Sequence, residues 1–239
     1  MNKKNLLLVI NQLYGGGAQK VIANLSVQLA EIGNVTLLVY NDTDKIVFPY
    51  AGELLKLNLP YPENTQDNPF FKRLIRFFSL IRQLRKIKKE RNIDVSISFM
   101  EASNIVNILS RRKEKVIISV RSYLSKEFKD HSRLRIFKSL VRILYNKAHH
   151  TVVPSELLKK DLVDNFGVAE EKIRIVYNFV DQHLVRSLVQ EPIPAHQENI
   201  FKNYPVLINV GRITTPKAQW LLVPVMAKLK EKKINIKLV

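Results

Sequence analysis

The chain has 239 residues, 46% hydrophobic and 25% charged, with 39 Lys/Arg against 21 Asp/Glu and a formal net charge of +18. That is the composition of one large folded domain or two modest ones and excludes a disordered segment. The absence of cysteine excludes disulfides and thiolate metal sites. His131, His149, His150, His183 and His196 fall in no metal-ligand spacing, so no metal held by protein ligands is expected.

In chain order, MNKKNLLLVINQ looks like a signal peptide only at first sight. Its apolar run, Leu6–Ile10, is ended by Asn11 and Gln12 and is too short for an h-region. No run approaches the ~18 apolar residues of a membrane span, so a cytoplasmic protein with peripheral membrane contact at most is expected. Leu6–Ile10 reads instead as a buried parallel strand. Val21, Ile22, Leu25, Leu29 and Ile32 form a helical stripe over Ala18–Ile32, closed by Gly33 as a C-cap, and Val35–Tyr40 is the next strand. This is a βαβ unit. The alternation continues with a weaker strand Leu54–Leu59, a helix Phe70–Arg91, a strand Val95–Met100 and a short helix Ser103–Ser110. A strand Val116–Val120, a helix Arg133–Lys147 and a strand Thr151–Val153 follow. Ser155 caps a helix that ends at Phe166–Gly167, and Ile173–Tyr177 is a further strand. The sum is a doubly wound α/β domain.

From Gln182 to Tyr204 the periodicity lapses around Pro192 and Pro194, which reads as a linker or crossover. The pattern restarts with a strand Val206–Val210, a loop through Gly211 to Lys217, a helix Ala218–Lys232 and a strand Ile234–Val239. A lone βαβ unit of this size is too small to bury a core of its own, so the second domain is expected to be only begun.

Four groups of residues carry candidate chemistry. Gly15-Gly16-Gly17 lies between a strand and a helix, where glycines let backbone N–H groups approach a ligand and the helix start adds about half a positive charge. The competing reading is a tight turn. The spacing is not GxGxxG, and Val39 and Tyr40 stand where a ribose-binding acid belongs, which disfavours a dinucleotide. Gly211-Arg212 and Lys217 repeat the arrangement with a guanidinium fork and a point charge suited to a diphosphate, or they are two solvated cations. The basic helices 72–91 and 133–147 are amphipathic, the first with nine Lys/Arg and one acid. They suit an anionic membrane surface, with the apolar stripe turned inward and the charges outward. Nucleic acid is disfavoured because no RNA-recognition or helix-turn-helix signature appears. Finally, Glu101 and Arg121 sit at strand carboxyl ends, where open α/β sheets place ligands. They either orient a sugar or its phosphate, or pair with each other.

Three stretches, GGGAQKVIANLSVQLAEIG (15–33), VVPSELLKKDLVDNFGVAEEKIRIVYNFVD (152–181) and NVGRITTPKAQWLL (209–222), resemble in order the GT-B retaining glycosyltransferases of family 4, bacterial enzymes that build surface polysaccharides. The resemblance implies a GT-B type α/β fold. Residues 1–181 would be a complete N-terminal Rossmann-like acceptor-side domain, 182–204 a crossover, and 205–239 the incomplete start of a donor-binding domain. It implies a hexosyltransferase moving a sugar from a nucleotide-sugar to a lipid-linked saccharide acceptor, in polysaccharide or lipopolysaccharide synthesis at the inner face of the cytoplasmic membrane. No cofactor and no metal are implied. Gly15, Gly16, Gly17, Arg212 and Lys217 would then face the donor phosphates, with Glu101, Arg121, Ser155 and Asn178 on the acceptor side. The chain departs from the family pattern at Phe179 and Ala218, where glycines are usual, and at Arg121, where a site histidine is common. The family's donor-binding glutamates would lie past Val239. Two other readings stay open: a catalytically silent remnant, and a basic module that binds membrane or nucleic acid without chemistry.

Overall fold

The computed structural model describes residues 3–41, 46–57, 59, 69–127, 131–180, 182–211, 213, 214 and 217–239. The chain divides into two compact units, Met1–Phe179 and Val180–Val239.

The first unit is built on a seven-stranded sheet in the order β3-β2-β1-β4-β5-β6-β7, every pairing parallel. Its strands are β1 (Lys4–Ile10), β2 (Gly33–Val39), β3 (Glu53–Lys56), β4 (Val95–Phe99), β5 (Lys115–Ser119), β6 (His150–Val153) and β7 (Ile173–Ile175). Parallel strands need crossovers, here mostly helical: α1 (Gly17–Ala30), α2 (Pro69–Glu90), α3 (Glu101–Leu109), α4 (Leu124–Glu127), α5 (His131–Tyr145) and α6 (Glu156–Phe166). The alternation of side chains along β1 shows how the layers are filled. Leu6, Leu8 and Ile10 pack with Ile22 of α1 and with Val35 and Leu37 of β2. Leu7 and Val9 turn the other way, against Leu80 and Leu84 of α2 and Val106 of α3. A third cluster joins Val116 and Ile118 of β5 to Val141 and Tyr145 of α5 and to Leu162 and Phe166 of α6. Both faces of β1 are therefore buried, which is why it reads as an unbroken apolar run.

Strands β3 (Glu53–Lys56) and β7 (Ile173–Ile175) are shorter than the apolar runs, α3 (Glu101–Leu109) starts two residues early, and two further features differ from the sequence reading for physical reasons. Gly33 does not cap α1, whose C-cap is Glu31; it is the first residue of β2, paired with Lys4. A Cβ there would lie 2.7 Å from the Lys4 carbonyl oxygen, so the glycine serves close strand approach. The inward stripe of the first basic helix is also narrower than its apolar content suggests. Phe77, Leu80, Ile81, Leu84 and Ile87 of α2 meet the core, whereas Leu74, Ile75 and Phe78 are exposed.

Ser155 caps α6 as expected: its hydroxyl accepts from the Leu158 N–H at 3.4 Å, and the helix closes on Gly167 in the left-handed region. Ser155→Ala is expected to cost about 1 kcal/mol in urea denaturation, whereas Ser155→Gly costs only a few tenths.

The second unit contains α7 (Gln182–Leu188), α8 (Ala195–Asn203), β8 (Val206–Leu207), a 3₁₀ turn at Gln219–Leu221, α9 (Leu222–Glu231) and β9 (Lys237–Leu238), with β8 and β9 paired in parallel. The segment read as a linker or crossover thus holds two helices. None of their described side chains is buried, so no burial periodicity betrayed them. The strands after Pro205 are shorter than expected, and among the described residues from 180 to 239 no side chain is buried.

Candidate functional site

In a doubly wound sheet the order of strands reverses at one point, and ligands bind in the crevice outside the carboxyl ends there. Here the chain proceeds from β1 outward through β2 and β3, then returns to place β4 on the other side of β1. The Gly15–Gly17 loop follows β1, and Met100-Glu101 follows β4. These two loops flank the switch point, and Arg121 follows β5 next to them.

Gly15 has φ +45°, and a Cβ on Gly15 or Gly17 would meet nothing within 4 Å, whereas one on Gly16 would collide with the Gln19 side-chain oxygen, so the loop is open at its two ends. No side chain caps α1, and its first turn carries no acid. Its leading N–H groups are thereby left to donate to an anion. Across the crevice, Met100 has φ 76° and ψ 148°, a region that costs a residue with a Cβ about 1–3 kcal/mol and is otherwise held by glycine. This turn makes Glu101 the first residue of α3. Met100→Gly is expected to raise stability by about 1 kcal/mol, the strain relieved less the extra freedom of glycine in the unfolded chain. Equilibrium denaturation measures it, and a destabilised variant would show that packing of the Met100 side chain outweighs the strain.

Arg121 is the most informative residue. Its guanidinium carbon lies 4.8 Å from the centre of the Phe99 ring, and its Nη1 donates to Asn178 Oδ1 at 2.8 Å. Its Nε is buried without a hydrogen-bond partner. Burial pulls its pKa down to about 10, and no carboxylate among the described residues opposes that fall. The guanidinium is therefore charged at neutral pH, fixed in orientation and short of an acceptor, as suits an anionic or hydroxyl-rich ligand. The alternative left open by the sequence, an ion pair with Glu101, is not formed. Glu101 instead accepts a hydrogen bond from the Ser122 hydroxyl at 3.2 Å. The structure thus brings Arg121 and Asn178 together and ties Glu101 to Ser122. Ser155 spends its hydroxyl on the α6 cap.

Beside Arg121, on the face that carries α1, lies a cavity of about 330 Å³. Apolar side chains dominate it, including Leu25, Ile97, Phe99 and Val152, with Asn24 and Gln28 of α1 among its polar lining. A larger hollow of about 550 Å³ opens at the amino ends of β1 and β2, beside the Arg91–Glu53 ion pair at 2.5 Å. It is at the edge of the sheet away from the switch point.

Sequence reasoning missed the scaffold that fixes α3. Ser98 Oγ donates to Asn104 Oδ1 at 2.8 Å, Asn104 Nδ2 to the Ser119 carbonyl at 3.0 Å, and Asn107 Nδ2 to Ser98 Oγ at 3.1 Å. Lys88 joins through Asn107, at 2.8 Å to Oδ1 and 2.9 Å to the carbonyl, and pairs with Glu114 at 2.8 Å. All these side chains are buried. The available signal was polar: two serines in a buried strand, SISF, ahead of two asparagines spaced for one helix face.

Of the candidates in the second unit, Lys217 is exposed, and Arg212 lies outside the described residues. Gln219 Nε2 ties the loop by donating to the Gly211 carbonyl at 3.1 Å and to Asn209 Oδ1 at 3.0 Å. Ala218, at a position where the resembled pattern has glycine, adopts φ 51°, in the left-handed region that glycine occupies most easily. Among the described residues no group of three His, Asp or Glu is placed to hold a metal, and no helix is long and apolar enough to cross a membrane.

Residues 15–184 match the family model described as Glycosyltransferase Family 4. An uncharacterized glycosyltransferase of Methanocaldococcus jannaschii is 27% identical over 196 residues, covering 79% of this chain and 48% of that protein. The N-acetylgalactosamine-N,N'-diacetylbacillosaminyl-diphospho-undecaprenol 4-alpha-N-acetylgalactosaminyltransferase of Campylobacter jejuni is 27% identical over 232 residues, covering 95% of this chain and 60% of that one. The chain therefore spans about half to three fifths of the length of these relatives. The solved structure of sucrose-phosphate synthase from Thermosynechococcus elongatus superposes with a TM-score of 0.67 at 15% identity, over 99% of this chain and 61% of the other. At that identity the likeness establishes the GT-B architecture and nothing finer.

Proposed function

The chain belongs to glycosyltransferase family 4, and from that premise we propose that it takes part in moving a hexose, with retention of configuration, from a nucleotide-diphosphate-sugar to a lipid-linked saccharide. The observation that carries this reading is the crevice at the switch point, where an open glycine loop faces a strained turn and an oriented, acid-free guanidinium. In this role Arg121 donates to an acceptor phosphate or to sugar hydroxyls, held in place by Phe99 and Asn178. Glu101 accepts from a sugar hydroxyl. The N–H groups of Gly15–Gly17 and the α1 terminus face phosphate charge. In the second unit, Arg212 and Lys217 answer the diphosphate leaving group, a stabilisation that grows as charge develops on it. No cofactor or metal is invoked, and no residue is assigned as acid or base.

A lipid-linked acceptor is supported by the Campylobacter jejuni relative, whose name specifies a diphospho-undecaprenol-linked one. On this reading the work belongs to bacterial polysaccharide or lipopolysaccharide synthesis at the inner face of the cytoplasmic membrane, where the basic helices α2 and α5 meet anionic headgroups. The test incubates the 239-residue chain with a panel of nucleotide-sugars and polyprenyl-diphosphate-linked saccharides. Acceptor-dependent release of nucleoside diphosphate is expected with at least one pair. No release and no acceptor binding across the panel would overturn the reading.

A further inference from the structure

We infer that the first half of α2 is a membrane-insertion surface, in which Leu74, Ile75 and Phe78 enter the apolar layer of an anionic bilayer while the cations that follow lie among its headgroups. Leu74, Ile75 and Phe78 stand at i, i+1 and i+4 on one helix face, and Phe71, also exposed, extends it by one turn. Phe78 is 60% exposed, a high value for a residue so near the buried Leu80 and Leu84. The same outward face changes character one turn on, to Arg82, Arg85, Lys86 and Lys89, all exposed. Pro69–Glu90 holds eight Lys/Arg and a single acid, Glu90.

The placement of the stripe follows from the crossover. Arg76 donates to the Tyr40 carbonyl at 3.3 Å and to Asn41 Oδ1 at 3.1 Å, both just past the carboxyl end of β2. The turn of α2 before Arg76 therefore lies at the carboxyl edge of the sheet, the edge that carries the Gly15–Gly17 loop, Met100-Glu101 and Arg121. An apolar stripe that simply belonged to the core would face the sheet, as Phe77, Leu80 and Leu84 do. A purely electrostatic surface would show cations along its whole length. An apolar segment that gives way to a basic one suits a bilayer with anionic headgroups, which satisfies both halves. Its orientation brings the crevice toward lipid-borne substrate. That last point rests on the transferase reading, whereas the membrane contact itself does not.

The experiment is vesicle sedimentation of the full 239-residue chain, with no sugar donor or acceptor present. Vesicles of phosphatidylcholine with phosphatidylglycerol are compared with phosphatidylcholine alone. Binding is expected only to the mixed vesicles, and L74S/I75S/F78S is expected to weaken it on the order of tenfold or more while every cation remains. Should that variant fold poorly, F78W in a W220F background decides instead: its emission shifts to the blue and is quenched by brominated lipid. Unchanged vesicle binding by a folded triple variant, or an indole at position 78 that stays in water, overturns the inference. So does duplex DNA bound as tightly as the vesicles at the same salt. A chain that inserts yet transfers no sugar refutes the enzymatic proposal alone. A chain that transfers sugar to a water-soluble acceptor yet never inserts refutes only the membrane surface.

Discussion

Glu114→Ala is expected to lower stability by about 3–5 kcal/mol, because it strands the ammonium of Lys88 in the interior. The two side chains are 0% and 1% exposed and 2.8 Å apart, and the other Lys88 contacts, to Asn107, are neutral. Burial opposes the charge of Glu114, but the Lys88 ammonium and its hydrogen bond, together with backbone N–H groups, hold the carboxyl below its ordinary 4.5. A carboxyl that titrates lower in the folded chain adds stability that is complete above the unfolded value and is lost as pH falls through the folded one. Wild-type stability should therefore decline below about pH 4.5, and Glu114→Ala should lack that part of the decline.

The alkaline limb runs the other way. Burial pushes Lys88 down to about 8 even with Glu114 attracting it. Without the carboxylate that value falls further. The unfolded variant then binds more protons than the folded one, and its stability climbs as pH rises toward 10.5. Lys88→Met added to Glu114→Ala should recover part of the loss, since removing both charges is far cheaper than removing one. Urea denaturation across pH measures all three. A loss below about 1 kcal/mol for Glu114→Ala would mean that water reaches Lys88 and solvates it.

The second large effect is on activity. Arg121→Ala is expected to reduce kcat/KM for transfer about a hundredfold, near the upper end of what a hydrogen bond to a charged group contributes. Arg121→Lys should do little better. A lysine keeps the charge but loses the planar fork that lies on Phe99 and reaches Asn178. Stability should change by less than about 1 kcal/mol in either variant, because the residue anchors no core cluster. Full rescue by lysine would reduce the role to charge alone, and wild-type kinetics in the alanine variant would remove Arg121 from the site.

These expectations differ in how much of them the sequence contained. The Arg121 position was legible, since a charged residue directly after a buried apolar strand marks a carboxyl end, but its partner was not. Nothing in the spacing separates an ion pair with Glu101 from a contact with Asn178, 57 residues further on. Lys88 was hidden more completely. In a helix of eight cations, no local feature distinguishes the one that turns inward to meet Glu114. The exposure of Leu74 and Phe78, both in the apolar stripe expected to turn inward, was hidden for a related reason. Period 3.6 locates an apolar face but does not say where along its length the helix leaves the sheet.

The sequence alone determined the parallel sheet, the order of its main strands and helices, and the glycine loop after the first strand. Those features follow from apolar periodicity and from turn and capping residues, all of which act within a few positions along the chain. The family resemblance lay in the same local stretches. Only the tertiary structure decided that Gly33 begins a strand, that the loops after β1 and β4 share one switch point, and that Met100 is strained to make its turn. It alone showed that one lysine in α2 is a buried structural charge while its neighbours face outward. Each of these depends on which distant backbone or side chain comes close, and distance through space is set by packing rather than by position in the chain.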